Sequence, residues 1–227
     1  MIYLTLDDLF KYSFVISINN NRYEWYKKVF TYFNLPLSER IGNKIEGQNK
    51  VQNCMYNHAQ CIKLAKERNY PFVLIFEDDA FPVNANELPN FIDNFNKSGD
   101  FKDNFGMIAL GKLMNRFKKK VNDYFYDVQY FAGAHAYITN SKCFDRYLDK
   151  YNKKILRVAD ATNRLGIQLS TMETNIFAQY VLEDGITFKI RNILITSKKE
   201  KILKINLDKK TIFTKFPILK IDREKIQ

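Results

Sequence analysis

The sequence predicts an α/β protein whose central sheet is mostly parallel and is flanked by helices. Apolar runs with the length of buried strands occur at residues 13–18, 70–76 and 105–111, each bounded by turn residues. Helical patterns fill the interval between the first two runs. Strands that alternate with helices favour parallel pairing with right-handed crossovers.

Composition is that of a folded protein. The chain has 227 residues, of which 46% are hydrophobic and 27% charged, so disorder is excluded and one large domain is expected. The first residues lack a secretion-signal pattern and no apolar run could span a membrane, so we expect a cytoplasmic protein. The cysteines Cys54, Cys61 and Cys143 are odd in number and lack metal-site spacing, which indicates a reducing compartment without disulfides.

The first half of the chain gives the clearest elements. After the strand at 13–18, the turn at 19–21 leads into a helix at about 22–33, and a second amphipathic helix covers about 48–68. Past the central strand, Asn84 or Asn86 is placed to cap a short helix that carries Leu88, Phe91, Ile92 and Phe95.

In the second half of the chain, strands and helices are again predicted to alternate. Strands are expected at 105–111, 124–129 and 132–139, followed by a helix from Ser141 to about Tyr151 and a loop over 153–169. The capping-box spacing from Ser170 to Glu173 predicts one more helix, with Ile176, Phe177, Tyr180 and Val181 on its inner face, and a strand follows at 186–195. We therefore predict one domain over residues 1–197 and a dependent arm or edge hairpin over 198–227.

Positive charge is concentrated in two places. Lysine and arginine number 36 against 25 acidic residues, a net charge of +11, and residues 198–227 hold ten basic and four acidic side chains. A second cluster comprises Lys112, Arg116, Lys118, Lys119 and Lys120. Basic residues interleaved with apolar ones can bind anionic lipid or nucleic acid, and can also simply form a solvated face.

The central strand ends in three successive carboxylates, Glu77, Asp78 and Asp79. In open α/β sheets, ligands bind beyond the carboxyl ends of the strands. Adjacent carboxylates repel one another unless a cation lies between them, and a hard divalent cation carrying a phosphorylated substrate would meet that need. The alternative is an acidic turn exposed to water.

Several segments in order resemble glycosyltransferase family 25, the enzymes of bacterial lipooligosaccharide assembly that are related to collagen galactosyltransferases. The resemblance covers roughly residues 12–195 and is carried by 14–19 with Arg22, by 53–58, by 71–79 and by 133–139. It implies a GT-A fold of the Rossmann-type sandwich class, a UDP-sugar donor that is often UDP-galactose, a divalent metal such as Mn²⁺ or Mg²⁺, and inversion at the anomeric carbon.

The resemblance also implies roles for individual residues. The expected metal ligands are Asp79, Glu77 and His135, and oxygen ligands suit Mn²⁺ or Mg²⁺ better than zinc, for which no Cys/His cluster is seen. Nucleotide-sugar contacts are expected from Asn19, Arg22, His58, Asp78 and Gly133. The alternatives are structural: a core histidine at 58 or 135, and an arginine on the polar face of its helix.

An inverting transfer needs a general base for the acceptor hydroxyl. Glu173 is preferred and Asp160 is the second candidate; their alternative roles are helix capping and an exposed loop position. The chain departs from the family pattern at Asn53 and Asn57, where members have glycine and serine, and it lacks a clear proline-valine-aspartate element.

Three functions follow from these observations. The first is a metal-dependent hexosyltransferase that acts on a glycan or lipid-linked acceptor, with the basic tail at the cytoplasmic face of the inner membrane. The second is a basic nucleic-acid-binding protein or metal-dependent nuclease, which is disfavoured because the basic residues concentrate after Ser197 rather than around the acidic motif. The third is a catalytically degenerate GT-A subunit.

Overall fold

The computed structural model describes residues 2–112, 114–133, 135–153, 166–172, 175–183, 187–191, 193–194, 201–202 and 206–207. Within them the α-helices are α1 (Leu6–Lys11), α2 (Asn20–Tyr32), α3 (Lys50–Glu67), α4 (Leu88–Asn96), α5 (Phe101–Asn104) and α6 (Phe144–Asn152). The strands are β1 (Ser13–Ile16), β2 (Glu39–Ile41), β3 (Phe72–Glu77), β4 (Ala80–Phe81), β5 (Met107–Gly111), β6 (Met114–Lys120), β7 (Tyr126–Ala132), β8 (Ala136–Asn140), β9 (Leu169–Thr171), β10 (Ala178–Glu183), β11 (Thr187–Arg191), β12 (Ile193–Leu194), β13 (Lys201–Ile202) and β14 (Asn206–Leu207).

The largest sheet has eight strands in the order β2-β1-β3-β8-β5-β9-β7-β6. Strands β1, β2, β3, β5, β6 and β9 run in one direction, and β7 and β8 run against them. The sheet is therefore mixed but mostly parallel, and helices cover it. This confirms the predicted α/β class.

The first half of this sheet brings two turns together. Strand β1 lies between β2 and β3 and is parallel to both, with Val15 opposite Phe76 and Ile16 opposite Glu77. The helices that connect these strands start at side-chain caps: Asn19 caps α2, and Asn49 with Gln52 forms a capping box on α3. Because β1 and β3 are parallel neighbours, their carboxyl ends lie side by side, and the turns that follow them are close together.

The two faces of the sheet carry separate apolar layers. On one face the ring of Phe76 packs against Phe177, Phe30 and Phe10 at centroid distances of 4.9, 5.2 and 5.9 Å. On the other face Ile75 belongs to a layer that includes Ile62 of α3. Burial on both sides explains the uninterrupted apolar run of β3.

A four-stranded sheet, ordered β14-β11-β10-β4, joins the end of the central strand. Strand β4 follows the acidic turn directly, and it pairs with β10 so that Ala80 lies opposite Gln179 and Phe81 opposite Ala178. Gln179, which is distant in sequence, is thereby placed beside the acidic turn.

The prediction of a helix after Ser170 is wrong. Residues 169–171 form β9 between β5 and β7, and residues 178–183 form β10. The hydroxyl groups that suggested a cap are used within the sheet instead, because Ser170 Oγ donates to Asp127 Oδ1 at 3.2 Å and Thr171 Oγ1 donates to the Ala109 carbonyl at 3.2 Å.

Several boundaries also differ from the predictions. The strands expected at 124–129 and 132–139 are β7 and β8, displaced towards the carboxyl terminus. A 3₁₀ turn at Ser141–Cys143 precedes α6, and Asn140 rather than Ser141 supplies its cap. Neither Asn84 nor Asn86 caps the helical segment at 85–96 with its side chain. The sequence patterns did not reveal α1, β2, β4 or β6.

The basic regions are only partly described. Most of 198–227 and the predicted boundary near Ser197 lie outside the described residues. In the second cluster, Lys112 is buried and its Nζ donates to the Met172 carbonyl at 2.7 Å, while residues 114–120 form β6. None of the helices in the described part of the chain has the length and apolar content of a membrane span.

Phe76→Ala should lower the free energy of unfolding by about 3–5 kcal/mol, because it removes the ring at the centre of the aromatic layer. Equilibrium urea denaturation measures the change. Tyr3→Ala is the control, since Tyr3 is 70% exposed, and its effect should stay within about 0.5 kcal/mol. Equal losses for the two variants would contradict this description of the core.

Candidate active site at the end of the central strand

The turns that follow β1 and β3 are hydrogen-bonded to each other. The Asp78 amide donates to the Ile16 carbonyl at 3.0 Å, and Ser17 Oγ donates to Asp78 Oδ2 at 2.8 Å. Arg40 Nε, from β2, donates to the Ser17 carbonyl at 2.9 Å. Backbone and side-chain contacts together hold Asp78 at the carboxyl end of the parallel strands.

Arg22, in the first turn of α2, joins both aspartates of the acidic turn. Its guanidinium forms an ion pair with Asp78 and a second one with Asp79 Oδ2 at 3.2 Å. The side chain is still 34% exposed, so solvent reaches it. Asn19 positions this turn as the cap of α2, since its Oδ1 accepts from the amides of Asn21 and Arg22 at 2.8 and 3.2 Å.

Asp79 is nearly buried and only partly satisfied. Its Oδ2 also accepts from Gln179 Nε2 at 3.2 Å, but its Oδ1 is buried without a hydrogen-bond partner among the described residues. Burial, and then the charge of Glu77, raise the pKa of Asp79 to about 7, although Arg22 opposes the shift. Burial likewise raises the pKa of Asp78 against the opposing charge of Arg22. For both carboxyl groups, the effect of burial on the pKa is thus larger than the opposing effect of Arg22.

Glu77 contacts a different element. Its Oε1 lies 3.1 Å from His58 Nε2 and 3.6 Å from Cys54 Sγ, both on α3. Burial alone would raise the pKa of Glu77, but the hydrogen bond and electrostatic attraction of His58, together with smaller contributions from His135 and Cys54, lower the pKa. The ligand atoms of Cys54, His58 and Glu77 all lie within 4.8 Å of one another, so these residues could hold a metal ion. The sequence interpretation, which saw no Cys/His cluster, missed this group.

His135 lies next to Glu77 on the backbone. Its carbonyl accepts from the Glu77 amide at 2.9 Å, and its Nε2 lies 3.4 Å from the Phe177 carbonyl. The ring is fully buried, which lowers its pKa to about 4, and Nδ1 has no partner among the described residues. Gly111 provides the space for this ring, because a Cβ there would lie 2.4 Å from Nε2. Gly133 has a φ of +86°, a conformation that favours glycine.

The predicted site residues thus fall into groups. Arg22, Asp78 and Asp79 meet in one cluster, and Asn19 caps the helix that bears Arg22. Glu77 and His58 meet in a second cluster, which also contains Cys54. The candidate bases Glu173 and Asp160 lie outside the described residues.

Three contributing residues escaped the sequence interpretation. Ser17 follows the first buried strand directly, so its place at a sheet edge was a usable signal. Cys54 lies one helical turn before His58, and a search for helical pairs would have found it. Gln179 gave no signal, because its place depends on the pairing of β4 with β10.

The two asparagines that depart from the family pattern hold the segment before α3. Asn53 Oδ1 accepts from the Ile45 amide at 2.7 Å. Asn57 Oδ1 accepts from the Asn43 amide at 2.9 Å, and its Nδ2 donates to the Asn43 carbonyl at 2.8 Å. These side chains therefore have a structural role in this chain.

Asp79→Asn should remove a pH dependence of stability. A carboxyl whose pKa is raised in the folded state stabilises the fold when protonated; this contribution is complete below about pH 4 and is lost as the pH rises through about 7. In metal-free buffer at pH 8 the variant should be more stable than the wild type by about 1–3 kcal/mol, and the difference should shrink towards pH 4.

Urea denaturation between pH 4 and pH 8 measures this difference. Asp93→Asn, on the exposed side of α4, is the control and should leave the pH profile parallel to that of the wild type. A constant difference between Asp79→Asn and the wild type across this range would contradict the prediction.

No protein-family model matches the chain, and no curated protein is similar to it in sequence. Among solved structures, A197 from STIV is similar, with 10% identity, a TM-score of 0.47, and coverage of 82% of this chain and 96% of that chain. A mannose-1-phosphate geranyltransferase from Thermus thermophilus gives 6% identity, a TM-score of 0.40, and coverage of 71% and 73%. A nucleoside-diphosphate-sugar pyrophosphorylase from Vibrio cholerae gives 13% identity, a TM-score of 0.35, and coverage of 74% of this chain and 77% of that chain. Because every one of these TM-scores is below 0.5, no function is assigned from them, and the resemblance to family 25 stays a prediction.

Proposed function

We propose that this chain is an inverting, metal-dependent glycosyltransferase. It would move a hexose, with galactose as the first choice, from a UDP-sugar to a glycan or lipooligosaccharide acceptor. The observation that carries the proposal is the buried Oδ1 of Asp79 at the carboxyl end of β3, which has no hydrogen-bond partner among the described residues. A carboxylate oxygen that lacks a partner in that position is suited to a cation brought by a ligand.

The acidic turn fits a hard divalent cation. Asp78 and Asp79 offer only oxygen atoms, the donors that Mn²⁺ and Mg²⁺ prefer, and Asp79 is the residue expected to bind the ion directly. When bound, such an ion neutralises the charge that develops on a diphosphate leaving group. His135, whose Nδ1 has no partner within the described part of the chain, remains a predicted further ligand, whereas the Glu77 carboxylate contacts α3.

Arg22 supplies a positive charge beside the same turn. It is partly exposed and lies in the first turn of α2, where backbone amides and the helix dipole favour anions. A guanidinium can bind two phosphate oxygens at once. We therefore assign Arg22 to the diphosphate, and Asp78, held by Ser17, to the ribose.

The general base is assigned to Glu173, with Asp160 as the second candidate. Strand β9 runs parallel to β5, so the chain leaves β9 at the edge of the sheet where β3 also ends. Glu173 comes two residues after the last residue of β9 in sequence. This order favours Glu173 over Asp160 as the residue that accepts the acceptor's proton.

UDP-galactose with Mn²⁺ should raise the melting temperature of the wild-type chain. At a concentration of about 100 times Kd the stabilisation is about 2.7 kcal/mol, or roughly 5–10 °C for a domain of this size. Asp79→Asn should abolish the shift, and Asp93→Asn should retain it. Differential scanning fluorimetry with a panel of UDP-sugars measures this, and a panel that gives no shift with any sugar would refute donor binding.

Turnover separates an active enzyme from a subunit that only binds. Release of UDP from the donor found in the panel should increase when a glycan acceptor is added, and Glu173→Gln should lower the rate at least tenfold while the melting shift is kept, because a base acts on the acceptor and not on the donor. Donor binding without acceptor-dependent release would instead identify a degenerate GT-A subunit.

A further inference from the structure

We propose that Cys54, His58 and Glu77 form a binding site for a transition-metal ion of the Zn²⁺ class, distinct from the oxygen-only cluster of Asp78 and Asp79. The three side chains come from two elements, α3 and β3, and converge beneath the acidic turn. The inference is independent of the proposed glycosyl transfer.

The separations between the side-chain atoms resemble those of a zinc site. Zinc binds sulfur at about 2.3 Å and nitrogen or oxygen at about 2.0–2.2 Å, so tetrahedral ligand atoms lie roughly 3.3–3.6 Å apart. Glu77 Oε1 is 3.1 Å from His58 Nε2 and 3.6 Å from Cys54 Sγ. The third separation, between Cys54 and His58, lies within 4.8 Å, so side-chain movements of up to roughly 1 Å would complete the geometry.

The backbone that carries these ligands is firmly held. Cys54 and His58 are four residues apart on α3 and therefore project from the same face of the helix. The helix starts at a capping box, and its Asn53 and Asn57 side chains are hydrogen-bonded to the preceding segment. Glu77 ends the central strand. Two rigid elements thus fix the site before any ion binds.

His58 also has the outer contact that metal-bound histidines usually make. Its other ring nitrogen, Nδ1, lies 2.8 Å from the hydroxyl of Tyr137, a buried residue of β8. A partner on the second nitrogen fixes the orientation of the ring and leaves Nε2 for the ion. Both ring nitrogens of His58 therefore contact specific polar groups, which packing of the ring in the core alone would not require.

The donor set decides which ion is preferred. A thiolate, an imidazole and a carboxylate together favour Zn²⁺ or Co²⁺ over Mg²⁺ and Mn²⁺, which favour oxygen ligands. Binding would replace the contacts that Cys54 Sγ and His58 Nε2 make with Glu77 by bonds to the metal, and it would release the thiol proton and the Nε2 proton to solvent. Glu77 is 20% exposed, so water can occupy the fourth position.

Titration of the full chain with Co²⁺, in a non-thiol reductant, tests the site. In the wild type, the near-ultraviolet absorption of a thiolate–cobalt bond should appear and saturate at one thiolate-bound Co²⁺ per chain. Cys54→Ser should abolish that absorption, whereas Cys143→Ser, which changes another half-exposed cysteine, should retain it. Asp79→Asn should also retain it, because the oxygen cluster is a different site.

Competition with Zn²⁺ then gives the affinity. Tyr137→Phe, which keeps the ring but removes the hydroxyl contact to His58, should weaken Zn²⁺ binding by about 10- to 100-fold. Circular dichroism of Cys54→Ser confirms that it is folded. A wild-type chain without the thiolate–cobalt absorption, or absorption that survives in Cys54→Ser or disappears in Asp79→Asn, would overturn the proposal.

Discussion

Burial of three successive carboxylates at the end of β3 is the constraint that organises this fold. Glu77 is stabilised by α3, Asp78 by Ser17 after β1 and by Arg22 of α2, and Asp79 by Arg22 and by Gln179 of β10. A carboxylate without such partners would be costly to bury. The acidic turn therefore requires the end of β1, the helices α2 and α3, and the smaller sheet to meet at one place.

The two-residue period of the strand explains why the carboxylates separate into two sites. Ile75 and Glu77 share one side of β3, which faces α3, whereas Phe76 lies in the aromatic layer on the opposite side. Asp78 continues from Phe76 towards α2, where Arg22 lies at the helix start. Glu77 and Asp78 are adjacent in sequence but contact different helices. Glu77 meets a histidine and a cysteine on α3, and Asp78 meets an arginine on α2.

Local patterns predicted β1, β3 and β5 well, because these strands are buried apolar runs, and they predicted α2 and α3 from clear helical periodicity. They failed where pairing between distant segments decides the structure. Ser170 has capping-box spacing, yet pairing with β5 and β7 makes residues 169–171 a strand. Strand β6 is rich in lysine and was interpreted as a basic cluster, and only its pairing with β7 makes it a strand.

The candidate site shows the same division. The position of the acidic turn after a buried strand was evident from the sequence, whereas Arg22 and His58 were singled out by the resemblance to family 25. Their partners were not, since Arg22 and Asp78 are brought together by the pairing of β1 with β3, and Cys54 meets Glu77 only when α3 packs on that strand. Chemical hardness would distinguish the two proposed cation sites: oxygen atoms alone at Asp78 and Asp79 suit a hard ion, and sulfur with imidazole at Cys54 and His58 suits a softer one. Because Mg²⁺ and Mn²⁺ suit a sulfur-containing donor set poorly, we expect the proposed site at Cys54 and His58 to select a softer ion even when these hard ions are in excess.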